Sequence, residues 1–180
     1  MSLDESSVAQ IERRWAYSMA GVAVLFLSCI FFAATSLHMN PPSNIETVDP
    51  VTMHLSGEFV ESNLGTQVDR NGRVITRVVT AQFAFQPSCV IVPQDTPVTL
   101  RFASPDVIHG ITILGTNVNT MVVPGYVSQV RTSFAQAGEV LMPCHEFCGL
   151  GHSQMIARVR VVPADKFTAD ENGKASCEQQ

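Results

Sequence analysis

Asn71-Gly72-Arg73-Val74-Ile75-Thr76-Arg77-Val78-Val79-Thr80 sets the class of this fold. Asn-Gly is the strongest short hairpin signal, because the turn it makes needs positive φ at its central residues. The β-branched run behind it is stiff at χ1 and suits a pleated, half-buried surface better than a helix. Working outward, the same texture recurs. Strands are predicted at Cys89–Val92, Val98–Ala103, Ile108–Leu114, Val127–Phe134, Glu139–Met142 and Met155–Val162, separated by Pro, Gly, Asn and Asp. No segment after residue 50 sustains a helical period, so the rhythm predicts an all-β sandwich or barrel over residues 51–162.

The N-terminal part is different in kind. No charged residue stands between Arg14 and Glu46, and Trp15 to Leu37 is dominated by Ala, Val, Leu, Ile and Phe. As a helix that run covers about 34 Å, enough to cross a bilayer core. Trp15 and Tyr17 lie where an interfacial aromatic belt would sit, and Arg13 and Arg14 precede the run with no Lys or Arg soon after it. The positive-inside rule therefore predicts a cytoplasmic N-terminus and an extracytoplasmic remainder. A cleaved signal peptide, with Ala33, Ala34 and Ser36 as its cleavage site, is disfavoured by the length of the apolar run. The organisation expected is a cytoplasmic tail at 1–14, a transmembrane helix at 15–38 in contact with lipid, a linker at 39–50, the β domain at 51–162 and a frayed polar tail at 163–180.

Charge narrows the function. The formal net charge of -5 disfavours a nucleic-acid binder. Mean hydropathy is +0.17, high for a soluble domain, with the excess concentrated near the N-terminus. Residues 46–180 carry 13 acidic and 9 basic side chains, ordinary solubility charge or a weakly acidic docking face.

The five cysteines are odd in number and irregular in spacing, unlike a disulfide framework. Cys29 falls in the anchor, Cys89 reads as a small buried hydrophobe, and Cys177 falls in the polar tail. The chemistry lies in Cys144-His145-Glu146-Phe147-Cys148-Gly149-Leu150-Gly151-His152-Ser153-Gln154-Met155, with His109 35 residues before Cys144. Thiolates, imidazoles and a thioether are soft ligands, suited to copper or zinc. One structural zinc would leave Met155 idle, and a mononuclear blue-copper site would have one thiolate too many. Two metals bridged by two thiolates, with one imidazole each, would use every ligand.

Cys-x-Glu-x-Cys-Gly-x-x-His-x-x-Met, preceded by Asp106-Val107-Ile108-His109, resembles the CuA motif of haem-copper oxidase subunit II. Ser104-Pro105, Gly115-Thr116-Asn117-Val118-Asn119, Pro124-Gly125, Val48-Asp49-Pro50 and Phe83-Ala84-Phe85-Gln86-Pro87 extend the likeness over roughly residues 10–162. The B family, with ba-type oxidases and one anchor helix, is the subgroup it most resembles. The resemblance implies a cupredoxin-like Greek-key β sandwich after the anchor. It implies that Cys144 and Cys148 bridge two coppers, that His109 and Met155 serve one, and that His152 and the Glu146 carbonyl serve the other. It further implies a cytochrome c donor, haem in subunit I as acceptor, oxygen reduction there, and the inner membrane of a prokaryote.

The Glu146 side chain corresponds to one that reaches magnesium at the subunit I interface in the mitochondrial-type family. Phe83, Phe85 and Phe147 are read as a donor-docking patch, against core packing as the plainer alternative. The family's tryptophan at the point of electron arrival has no counterpart, since Trp15 is the only tryptophan. His145 reads as a loop residue and His38 as an interfacial one. The alternatives carried forward are a CuA-type nitric oxide reductase subunit and a membrane-tethered thiol or copper-delivery protein.

Overall fold

The computed structural model describes residues 4–36 and 46–177 in two compact units, residues 1–43 and 44–180. The described residues of the first unit form one helix, α1 (Glu5–Ser36), with an acidic residue, Glu5, in its first turn. It begins ahead of the apolar run, because no Gly or Pro interrupts Glu5 to Arg14 and the residues expected as a tail extend the helix. At about 1.5 Å per residue it is about 48 Å long, longer than the roughly 30 Å hydrocarbon core. None of its side chains is buried, and it is long and apolar enough to cross a membrane. The expected end of the span at residues 37–38, most of the linker, and His38 lie outside the described residues.

The described residues of the second unit form twelve strands: β1 (Glu46–Thr47), β2 (Gly65–Val68), β3 (Val74–Ala81), β4 (Ala84–Gln86), β5 (Cys89–Pro93), β6 (Val98–Ala103), β7 (His109–Thr112), β8 (Asn119–Val122), β9 (Tyr126–Thr132), β10 (Gly138–Pro143), β11 (Ile156–Val162) and β12 (Lys174–Ala175). One layer has the order β1-β9-β6-β3-β2-β12, with β4 also paired to β3. The other contains β10-β11-β5 and the β7–β8 hairpin, joined by a single bridge between Ile111 and Cys144. Side chains from both layers share one core: Val74, Val78, Leu100 and Phe102 from the first, and Val90, Val92, Ile111, Met142, Val159 and Val161 from the second. This is the cupredoxin-like sandwich anticipated above. Two pairs, β3–β6 and β5–β11, run parallel, which an antiparallel expectation misses. A parallel pair needs a long crossover; here the chain supplies it by passing through the opposite layer.

The outer face of the larger sheet carries an ion cluster. Arg77 and Arg101 stand directly opposite in register, an arrangement that would repel by itself. Glu58 resolves it, meeting Arg101 through both carboxylate oxygens at 2.6 Å and Arg77 at 2.8 Å. Burial alone would raise the Glu58 carboxyl, but the hydrogen bonds and charges of Arg101 and Arg77 hold it below its ordinary value. Arg101 also reaches Glu46 at 2.7 Å, tying β1 to the sheet.

Two expectations are corrected. Cys89 and Cys177 form a disulfide, with a Cα separation of 6.1 Å across 88 residues of sequence. The odd cysteine count misled because Cys29, Cys144 and Cys148 stay free for other reasons. The stretch read as a frayed tail instead returns to the domain: Lys174 and Ala175 pair with Gln67 and Thr66, and Arg160 donates to the Cys177 carbonyl at 2.8 Å.

Candidate metal centre

Five of the six candidate ligands, Cys144, Glu146, Cys148, His152 and Met155, ride on the segment between β10 and β11. That segment is closed at its base by a backbone bond from the Cys144 N–H to the Met155 carbonyl at 3.0 Å. Cys144 is further fixed by its bridge to Ile111. Inside the loop, His152 N–H donates to Gly149 at 3.1 Å and Gln154 N–H to Gly151 at 3.0 Å, forming a 3-10 turn over His152–Gln154. Gly149 has φ +134°, and a Cβ there would sit 2.8 Å from the Phe83 ring, so only glycine suits the position.

His109, the remaining ligand, heads β7 and is fully buried. Its Nδ1 lies 3.9 Å from Cys144 Sγ, while Nε2 lies 3.0 Å from Asp106 Oδ1. A proton on Nε2, donated to that carboxylate, leaves the Nδ1 lone pair facing the sulfur. Asp106 also accepts from the backbone N–H groups of Gln82 at 2.7 Å and Val107 at 2.6 Å. Burial would raise its carboxyl, but these hydrogen bonds, with those from His109 and Ser104, keep it below the usual range and therefore ionised.

The donors converge. Ligand atoms of His109, Cys144 and Cys148 all lie within 4.8 Å of one another. Cys148 Sγ is 3.6 Å from His152 Nδ1 and 3.7 Å from Met155 Sδ. Cys144 Sγ is 3.3 Å from the Glu146 carbonyl oxygen. Each imidazole thus stands beside a different sulfur. Burial, then the neighbouring Cys144, push the Cys148 thiol up to about 11, so binding a metal there must displace protons. A sulfur-rich donor set, with His109, Cys144, Cys148 and Met155 buried, His152 half-buried and one backbone carbonyl, fits copper and gives no reason to prefer a hard cation.

The other candidates separate. Phe147 is 74% exposed, and its ring meets the His152 ring edge-on with centroids 5.8 Å apart. Phe83 is 40% exposed and lies across Gly149 and Gly151. Phe85 is corrected: at 3% exposure it belongs to the core. Alternation does not link 83 to 85, because Gln82 and Phe83 form the turn between β3 and β4. Leu150, at 99% exposure, stands out beside them and was not singled out from sequence. His145 is exposed, and its ring rests on Gly110, where a Cβ would come within 2.5 Å of it. Asp106 and Gln82 also escaped the sequence reading; only the nearness of Asp106 to His109 was a visible signal.

A β sandwich that gathers thiols, imidazoles and a thioether at one end is a cupredoxin-type copper domain. The profile of the cytochrome c oxidase subunit II periplasmic domain matches residues 75–162. Cytochrome c oxidase subunit 2 of Thermus thermophilus is 32% identical over 157 residues, covering 86% of this chain and 94% of that protein. A second Thermus thermophilus protein of that name is 36% identical over 121 residues, covering 67% of this chain and 90% of that protein. A chain from the cryo-EM structure of a heme-copper terminal oxidase dimer superposes with TM-score 0.64 at 26% identity, covering 84% of this chain and 99% of that one. The chain belongs to the cytochrome c oxidase subunit II family. Its relatives are components of an oxidoreductase complex.

Proposed function

We propose that this chain holds a binuclear copper centre and passes electrons from a cytochrome c-like donor to haem in subunit I of a terminal oxidase. The observation that carries the proposal is the pairing of each imidazole with a different one of two adjacent buried thiols: His109 with Cys144, His152 with Cys148. One mononuclear site would not need that division. When bound, the copper pair supplies a one-electron carrier whose charge is shared between two metals. The chain's own residues do the rest. Cys144, Cys148, His109 and His152 would hold the pair, with the Met155 thioether and the Glu146 carbonyl as weaker donors. Asp106 fixes the His109 ring, and the sandwich core keeps the ligands from rearranging between oxidation states. Phe83, Phe147 and Leu150 form the apolar surface over the metal loop, where the donor docks. The Glu146 side chain, exposed beside that loop, is proposed as a magnesium ligand at the contact with subunit I.

The proposal places α1 in the inner membrane of a prokaryote with its N-terminus in the cytoplasm. The Cys89–Cys177 disulfide supports an extracytoplasmic β domain, because such bonds persist in oxidising compartments. The names of the relatives favour an oxidase over a nitric oxide reductase.

Copper loading of the full chain in detergent tests the centre. The expected result is two coppers per chain, a purple solution, and an EPR spectrum with one unpaired electron shared by two nuclei. One copper per chain, or a spin confined to one nucleus, overturns the proposal.

A further inference from the structure

We propose that Gln82 is a positioning residue for the metal centre, acting as a strut between its two halves; this rests on the ligand assignment above. The ligands reach the site from two separate stretches of chain. His109 arrives with Asp106 at the start of β7, while Cys144, Cys148, His152 and Met155 arrive on the later loop. Gln82 touches both. Its backbone N–H donates to Asp106 Oδ2 at 2.7 Å, and the other oxygen of that carboxylate holds His109. Its side-chain amide donates to the backbone carbonyl of Cys148. Gln82 thereby ties the imidazole arm to the far side of the sulfur loop at Cys148, while the Ile111–Cys144 bridge and the His145 N–H bond to the Gly110 carbonyl at 3.0 Å join the two stretches at its near side.

The neighbouring residue reinforces the contact. Phe83 lies so close to Gly149 and Gly151 that a Cβ on either would come within 2.8 Å and 2.5 Å of its ring. The two-residue turn thus presses on the loop with an apolar ring and holds it with one hydrogen bond. Cys148 and its carbonyl cannot move toward solvent without breaking that bond.

Gln82 is exposed and lies in a turn. An exposed turn side chain with no special role should tolerate substitution with little change in stability. Any non-proline residue at position 82 keeps the N–H bond to Asp106, so a side-chain change isolates the bond to the loop.

The test is Gln82→Met in the full chain in detergent, which keeps bulk and reach but removes the donor. In the metal-free protein, hydrogen exchange is read at the hydrogen-bonded amides of His152, Gln154 and Met155, with β6 and β11 amides as controls. The expected result is exchange at least tenfold faster in the loop alone. After copper loading, the same variant should show altered copper hyperfine splitting and a shifted midpoint potential. Loop exchange within twofold of the parent overturns the proposal. Faster exchange in the loop and in the controls alike also overturns it, since that marks a general loss of stability. Faster loop exchange with an unchanged spectrum and potential confines Gln82 to loop packing and overturns its role at the metal. If the parent binds a single copper, the centre proposed above fails, while the metal-free arm still decides whether Gln82 holds the loop.

Discussion

Removing the Cys89–Cys177 disulfide should destabilise the β unit while leaving the metal ligands in place. The bond links two points 88 residues apart, the first in β5 and the second just after β12. Cross-linking a loop of that length lowers the entropy of the unfolded chain, which corresponds to about 4.6 kcal/mol in the chain-entropy treatment. Measured bonds usually deliver less, so about 3 kcal/mol is expected for the Cys89→Ser, Cys177→Ser double variant. The compact unit spans Asn44–Gln180. At about 2.1 cal/mol/K per residue its unfolding entropy is about 0.29 kcal/mol/K, which converts 3 kcal/mol into a Tm lower by about 10 °C. Differential scanning calorimetry of both metal-free full chains in detergent reads this directly. Counting thiols in the denatured, unreduced parent is the companion measurement, with Cys29, Cys144 and Cys148 expected to react and Cys89 and Cys177 not. A Tm within 2 °C of the parent, or reaction of all the cysteines, would refute the reasoning.

Cys148→Ser should abolish the shared-spin EPR signal yet retain the β-sheet circular dichroism; a surviving delocalised signal would show that Cys148 does not bridge. Gly149→Ala should cut copper uptake at least tenfold, because the new methyl meets Phe83 and the backbone is left-handed there; uptake equal to the parent counts against the described loop. Phe147→Ala should change Tm by less than about 2 °C, since the ring is mostly exposed, but slow electron acceptance from a cytochrome several-fold; an unchanged rate removes Phe147 from the docking surface. Glu58→Gln should lower stability at pH 7. The Glu58 carboxyl is held below its usual value in the folded state, so its contribution is present above that usual value and lost as pH falls through the folded one. The Tm gap between parent and variant should therefore close on acidification, and a gap independent of pH contradicts the ion cluster.

Seven strands were legible in the sequence, most of them built from β-branched runs: β3, β5, β6, β7, β9, β10 and β11 lie within two residues of their predicted bounds. The short ones, β1, β2, β4, β8 and β12, were missed because two to four residues carry too little pattern to stand out from loop. The metal loop was legible because soft ligands at fixed spacing have few other uses. His109 was legible mainly through its resemblance to a known motif. The residues that hold the ligands were not. Gln82 acts through hydrogen bonds across 24 and 66 residues of sequence, to Asp106 and Cys148, and nothing in its own neighbourhood marks it; Asp106 had only its nearness to His109. Cys89 and Cys177 were hidden by a count that mixed three kinds of cysteine, and Phe85 by an alternation that a turn interrupts.

The parallel pairing of β5 with β11 has a consequence for synthesis. Chains are made N-terminal end first, and among the described strands β5 has no other partner in its sheet. Until residues 156–162 exist, Val90, Ile91 and Val92 form a β-prone apolar segment with both edges bare. Such an edge invites pairing with another molecule. A chain stalled or clipped after the metal loop but before β11 would therefore be sticky rather than merely incomplete, and its rapid disposal would matter more to the cell than its lost capacity for copper.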